Sequence, residues 1–74
     1  MDIGYIIQFH RKKAGLSRIE LALLSGVGKT VIYDLEHGRQ TVRFSKLMSV
    51  FEVLNIKLTL TSPYMNELEG SDES

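Results

Sequence analysis

Cysteine is absent from the 74 residues of this chain, and proline occurs once. The absence of cysteine excludes disulfide bonds, thiolate metal sites and thiol catalysis, and it fits a reducing compartment such as the cytoplasm. No apolar run approaches the roughly 20 residues that span a bilayer, and the N-terminal residues do not have the pattern of a signal peptide. We therefore expect a soluble, cytoplasmic protein that does not enter a membrane.

The groups that enzymes need are missing as well. The sequence offers no acid/base pair, no nucleophile with a base and no metal cluster at a recognisable spacing. Both histidines, His10 and His37, lack an acidic or cysteine companion at a ligand spacing. The segment Gly26–Thr30 resembles the end of a phosphate-binding P-loop, but the first glycine of that motif would fall on Leu23. We expect no enzyme, no metal and no cofactor.

The net charge of zero hides an uneven distribution of charge along the chain. All nine Lys and Arg residues lie between Arg11 and Lys57, whereas four of the nine acidic residues fall in the last eight positions. The body of the chain therefore carries a charge of +4 and its tail a charge of −4. A mildly basic body favours a polyanionic partner.

Apolar residues recur with a period of about 3.6 residues over the first three quarters of the chain, which is typical of helices. The spacing predicts four of them, over Ile3–Lys13, Arg18–Leu24, Lys29–Glu36 and Val42–Leu54. Ser17 and Glu20 have the spacing of a capping box at the start of the second helix. Gly26 permits a tight turn between the second helix and the third. We expect a mainly α fold of one domain.

After Asn55 the apolar period changes to 2, because Ile56, Leu58 and Leu60 alternate with polar residues. This pattern predicts a β-strand over 56–61, which Pro63 closes. A lone strand cannot satisfy its backbone hydrogen bonds, and its simplest partner is the same strand of a second copy. We therefore expect a homodimer built from residues 1–62, followed by an acidic, disordered tail at 63–74.

The middle of the chain resembles a known DNA-binding motif, the helix-turn-helix of the lambdoid phage Cro and repressor proteins, or XRE family. The matching residues are Leu16–Ala22, Ser25–Val27, Ile32, Leu35, Glu36, Gly38 and Arg39. The resemblance extends over about residues 3–54 and implies a four-helix Cro/repressor-like fold. The strand that follows is similar to that of HipB-type antitoxins, whose C-terminal strands pair across a dimer.

This resemblance implies that the third helix reads bases in the major groove. Residues near the start of the recognition helix reach base edges in this family, and Lys29, Thr30 and Tyr33 occupy those places. Lysine suits guanine O6 or N7, and the threonine methyl group suits the thymine methyl group. The helix dipole disfavours a cation in the first turn, so folding alone does not explain Lys29. Asp34 is either a solvated residue or an acceptor for a cytosine amine.

Contacts with the DNA backbone are implied in the same way. Ser17 and Arg18 match positions that hold phosphates in relatives, and Arg39 and Arg43, in and just beyond the loop after the third helix, are well placed for the same contacts. Gly28 departs from the serine or threonine that is usual in the family at the cap of the third helix, which leaves backbone amides as the anion site. Arg11 and Glu36 match positions that pair across the domain, so we expect them to form a structural ion pair.

The implied function is sequence-specific regulation of transcription, with a homodimer repressing from an inverted-repeat operator in double-stranded DNA. The HipB-like strand implies, in addition, an antitoxin that inhibits a HipA-type kinase toxin and regulates its own operon. A helical module that binds proteins and not DNA is the alternative. Leu23, Leu24 and the pair Tyr5 and Phe9 fit either peripheral core or a docking surface.

Overall fold

The computed structural model describes residues 2–39 and 42–71, and their regular structure consists of five helices. These are α1 (Ile3–Lys13), α2 (Arg18–Ser25), α3 (Lys29–Glu36), α4 (Phe44–Val53) and α5 (Met65–Ser71). The prediction of a mainly helical fold is confirmed, and α1 to α4 coincide with the four predicted helices to within two residues at each end. None of the described helices combines the length and the apolar character needed to cross a membrane.

Local signals in the sequence determine where α2 begins and ends. The Ser17 hydroxyl accepts a hydrogen bond from the Glu20 backbone N–H at 3.0 Å, and the Glu20 carboxylate accepts one from the Ser17 N–H at 2.9 Å. At the other end Gly26 adopts a left-handed conformation with φ of 72°. This lets the Val27 N–H return to the Ala22 carbonyl at 3.1 Å and close the helix. The chain then turns into α3 within three residues.

The apolar faces of α1 to α4 enclose one small core. Its buried members are Ile7, Leu21, Ala22, Ile32, Leu35, Val50, Phe51 and Leu54. Packing joins α2 to α3, α2 to α4 and α1 to α3. Because burying one such large side chain contributes about 1.5–3 kcal/mol, α2 and α3 are held rigidly against the other two helices, and their outer surfaces keep a fixed relative orientation.

The N-terminal turn of α1 lies directly against the C-terminal turn of α3, and Gly4 permits this approach. A Cβ atom at Gly4 would lie 2.5 Å from the Leu35 carbonyl oxygen and 2.9 Å from that of Glu36. Both obstacles are backbone atoms, which cannot rotate away. Nothing in the periodicity of the sequence singles out this glycine, because its role depends on how two helices cross.

The segment 56–62 has no helix or strand in the described chain. Its first residue is anchored, since the Ile56 N–H donates to the Phe51 carbonyl at 2.8 Å and the Ile56 side chain packs against the core. Leu58 and Leu60 are exposed. A strand ladder requires a second backbone, so the strand over 56–61 and its pairing across a dimer stay predictions.

A short helix, α5, occupies part of the segment for which we predicted disorder. Ser62 begins it, because its hydroxyl accepts from the Tyr64 N–H at 3.3 Å and its carbonyl from the Met65 N–H at 3.3 Å. Pro63 suits the first turn of a helix, and the Glu67 carboxylate suits the positive end of the helix dipole. α5 thus covers 65–71 of the tail that we predicted over 63–74, residues 72–74 lie outside the described part of the chain, and disorder of the tail stays a prediction.

Candidate nucleic-acid interface

The outward face of α3 brings together the three residues predicted to contact bases. Lys29, Thr30 and Tyr33 are exposed, whereas Ile32 and Leu35 on the opposite face are buried. The exposed residues line an open concavity of about 550 Å³ between the starts of α2 and α3. Its walls are formed by Arg11, Ser17, Arg18, Ile19, Lys29, Thr30 and Tyr33. The three predicted base-contacting residues thus share one surface with Ser17 and Arg18, two of the five predicted phosphate contacts.

The N-terminus of α3 is open because Gly28 is its N-cap. No side chain in the described residues caps this helix. Glycine is not required by the backbone, whose φ is −74°, and apart from its two chain neighbours no described residue has an atom within 4 Å of where a Cβ would stand. The amides of the first turn therefore point out of the helix without a side-chain acceptor, and such amides favour an anion.

The N-terminus of α2 is already partly used by its own capping box. The Ser17 N–H donates to the Glu20 carboxylate, and the Ser17 hydroxyl accepts from the Glu20 N–H. Hydrogen bonds from the backbone and hydroxyl of Ser17 lower the pKa of the Glu20 carboxyl. Glu20 is therefore ionised at neutral pH and opposes an anion close to Ser17.

Arg11 and Glu36 form a bidentate ion pair between α1 and α3. Arg11 Nε donates to Glu36 Oε2 at 2.6 Å, and Arg11 Nη2 donates to Glu36 Oε1 at 3.1 Å. Arg11 Nη1 also donates to the Leu16 carbonyl at 2.9 Å. The Glu36 side chain is fully buried and that of Arg11 is 9% exposed. This pair ties three elements of the chain together at the back of the concavity.

Glu36 has a second cationic partner, Arg18, which sequence reasoning did not find. Arg18 Nε donates to Glu36 Oε1 at 3.0 Å. Burial raises the pKa of the Glu36 carboxyl, but the hydrogen bonds and charges of Arg11 and Arg18 outweigh burial and hold that pKa below its ordinary value. Glu36 therefore stays ionised at neutral pH.

Arg18 also contacts Tyr33, the largest of the predicted base-contacting side chains. The guanidinium carbon lies 5.6 Å from the centroid of the Tyr33 ring, within the range of a cation–π contact. The Tyr33 ring in turn stacks on the His37 imidazole, with centroids 3.9 Å apart and planes 20° apart. The spacing of four residues between Tyr33 and His37 was a signal in the sequence that could have predicted this stack.

Arg39 and Arg43 flank the connection that follows α3. The Arg39 side chain is 68% exposed, and its Nη1 lies 3.8 Å from Asp34 Oδ1. Arg43 is exposed at the N-cap position of α4. Both residues are therefore exposed on the surface. Asp34 faces Arg39, so the structure gives it a surface ion-pair role that neither alternative for this residue included.

The remaining apolar candidates lie on the surface of the chain. Leu23 is 77% exposed and Leu24 is 63% exposed, and Tyr5 and Phe9 stack with centroids 6.4 Å apart on the exposed side of α1. None of the four belongs to the core cluster of the described residues. Within the described part of the chain there is also no group of three or more His, Cys, Asp or Glu side chains that could hold a metal ion.

Comparison with known proteins agrees with this geometry. The helix-turn-helix family matches residues 7–60, which include most of α1 and all of α2, α3 and α4. An uncharacterised HTH-type transcriptional regulator, y4mF, of Sinorhizobium fredii (strain NBRC 101917 / NGR234) is 36% identical over 62 residues, which cover 84% of this chain and 82% of the relative. With a family match over most of its length and a relative of similar size, the chain belongs to the XRE-type helix-turn-helix family.

Proposed function

We propose that the protein is a DNA-binding transcriptional regulator that inserts α3 into the major groove. The family match and the relative described as a transcriptional regulator support DNA binding. The observation that carries the proposal is the shared exposure of Lys29, Thr30 and Tyr33 on one face of a rigidly packed helix. Side chains on such a face reach base edges when the helix lies in the groove. They supply the sequence preference.

The DNA backbone is held, in this proposal, by groups on both sides of α3. We expect the first-turn amides behind Gly28 to contact one phosphate strand, with a weaker contact at Ser17 because of the Glu20 carboxylate, and the exposed Arg39 and Arg43 to contact the other strand. These contacts supply affinity and salt dependence, and they carry no sequence information. Arg18 differs from them because its guanidinium is already engaged by Glu36.

We further propose that the protein binds as a homodimer and represses from an inverted repeat. The period-2 pattern of Ile56, Leu58 and Leu60 and the exposure of Leu58 and Leu60 support pairing of this segment with its copy in a second subunit. Two copies of α3 would then read half-sites about one helical turn, roughly 34 Å, apart. Analytical ultracentrifugation of the intact chain tests this proposal. We expect a dimer for the wild type and a monomer for Leu58→Asp.

The test of base recognition is the discrimination between two duplexes. Preferred sequences are first selected from a randomised duplex library with the intact protein, and the Kd for the selected duplex is compared with the Kd for a random duplex. The double variant Lys29→Ala, Tyr33→Ala is expected to bind both equally. Lys12→Ala removes an exposed lysine that does not line the concavity and is the matched control. Unchanged discrimination in the double variant would refute the assignment.

A second function, inhibition of a HipA-type kinase toxin, rests on the HipB-like pattern of the C-terminal segment. The exposed Leu23 and Leu24 on α2 offer an apolar surface for a protein partner outside the base-contacting face of α3. We expect the protein to co-purify with a kinase encoded next to this gene. The double variant Leu23→Ser, Leu24→Ser should lose this association. Binding to that kinase without any salt-sensitive DNA binding would favour a purely protein-binding module.

A further inference from the structure

The side chain of Arg18 connects the buried ion pair to the base-contacting face. Its Nε atom donates to Glu36 Oε1 at 3.0 Å, and its guanidinium group lies 5.6 Å from the centroid of the Tyr33 ring. The Arg18 side chain is 36% exposed, so much of it is enclosed between these two contacts. A surface arginine that served only to bind phosphate would have its guanidinium group exposed to solvent in the free protein.

The acceptor that holds Arg18 is itself immobile. The Glu36 side chain is fully buried, and Arg11 binds both of its carboxylate oxygens. Arg11 is fixed in turn by its hydrogen bond to the Leu16 carbonyl. The Glu36 oxygen to which Arg18 donates is therefore fixed by the packing of α1 against α3.

The Tyr33 ring is restrained from two directions. His37 stacks on it from the position just after the end of α3, and Arg18 reaches it from α2 across the turn at Gly26. The His37 ring is fixed too, since its Nδ1 lies 2.7 Å from the Tyr33 carbonyl oxygen. An exposed tyrosine on a short helix would otherwise change rotamer freely. Here its ring has one supported position.

We propose that Arg18 is a positioning residue, which fixes the Tyr33 ring for base recognition, and that it is not a ligand for phosphate. This inference rests on the proposed function, because it assigns a role within the same DNA-binding surface. The positive charge of Arg18 is paired with the buried Glu36 carboxylate. Its planar guanidinium group donates a hydrogen bond in its own plane to Glu36 and contacts the Tyr33 ring as well. A lysine could keep the charge but could not make both contacts.

The test uses Arg18→Lys in the intact chain, with Arg18→Ala, Tyr33→Ala and their double variant beside it. For each protein, the Kd for the selected duplex, the Kd for a random duplex and the slope of log K against log salt are measured. Arg43→Ala is the matched control for a phosphate ligand. Circular dichroism checks folding, which should persist because Glu36 keeps its bidentate partner Arg11.

The proposal predicts that Arg18→Lys lowers discrimination at least about fivefold, the lower end of the contribution of one base contact, while its salt slope stays that of the wild type. The double variant should discriminate no worse than Tyr33→Ala alone. Arg43→Ala should instead weaken both duplexes equally and reduce the slope by about 0.9. If Arg18→Lys keeps full discrimination, or if Arg18→Ala behaves like Arg43→Ala, the proposal is overturned.

A measurement without DNA separates this inference from the proposed function. In the NMR spectrum of the free protein, Arg18→Lys should shift the Tyr33 ring protons, and those of Tyr5 and Tyr64 should stay in place as internal controls. Unshifted Tyr33 protons would overturn the positioning role even if the protein binds DNA. Absence of any salt-sensitive binding by the wild type would overturn the proposed function, and the role of Arg18 in recognition with it.

Discussion

Replacing Arg11 by methionine would leave the Glu36 carboxylate fully buried with Arg18 as its remaining cationic partner. Removing one member of a buried pair costs about 3–5 kcal/mol, and the Leu16 carbonyl would lose its hydrogen bond as well. Because Arg18 still donates to Glu36, we expect the lower end of that range, about 3 kcal/mol. A domain of this length has a total stability of roughly 4–11 kcal/mol at 0.05–0.15 kcal/mol per residue. The loss is therefore a large fraction of the whole.

The chain contains its own control for this experiment, the pair between Arg39 and Asp34. The two side chains are 68% and 24% exposed and their charged atoms are 3.8 Å apart. Exposed pairs of this kind contribute about 0–1 kcal/mol. Asp34→Asn should consequently leave stability almost unchanged, although both variants remove a single charge from an ion pair that involves α3.

Urea unfolding followed by circular dichroism, at one fixed protein concentration because association adds to apparent stability, measures both variants. The double variant Arg11→Met, Glu36→Leu should recover much of the loss, since it removes the stranded buried charge together with its partner. A cost for Arg11→Met no larger than that for Asp34→Asn would refute the claim that this pair organises the packing of α1 against α3.

Three further predictions concern stability. Because the pKa of Glu36 is lowered in the folded protein, its ion pairs contribute fully to the free energy of unfolding above about pH 4.5, the ordinary carboxyl value. This contribution is lost as the pH falls through the lower pKa of the folded state. Acid titration followed by circular dichroism should show a smaller loss of stability in Arg11→Met than in the wild type. Gly4→Ala places a methyl group against two backbone carbonyls and should lower stability by about 1–3 kcal/mol. In urea unfolding, a smaller loss of stability than that caused by an exposed substitution would argue against the close approach of α1 and α3. Gly26→Ala should lower stability by about 1–2 kcal/mol because the left-handed conformation disfavours a Cβ. Gly28→Ser should instead raise stability by a few tenths of a kcal/mol. Equal thermal midpoints for these two variants would contradict the assigned backbone roles.

Local signals in the sequence predicted the helices well. The capping box of Ser17 and Glu20, the left-handed turn at Gly26 and the apolar spacing through Ile32 and Leu35 each depend on residues within a few positions of one another. Such features can be recognised without knowing how the chain packs. They were sufficient to identify α2 and α3 and the face of α3 that is exposed.

Features that arise from packing were not predictable in this way. The contact of Arg18 with Glu36 joins residues 18 positions apart and exists because α2 lies beside the end of α3. Gly4 is required because α1 crosses the end of α3, and no periodicity marks that crossing. The start of α5 was missed because a short acidic segment was interpreted from composition alone, although Ser62 and Pro63 form a local start signal.

The central claim is that the outward face of α3 meets the bases of DNA. It is tested most directly by titrating the isotope-labelled protein with the selected duplex and following each backbone amide by NMR. We expect the largest shifts at Lys29, Thr30 and Tyr33, and smaller shifts of the same amides with a random duplex. Largest shifts at Leu23 and Leu24, with the amides of α3 unmoved by either duplex, would contradict the claim.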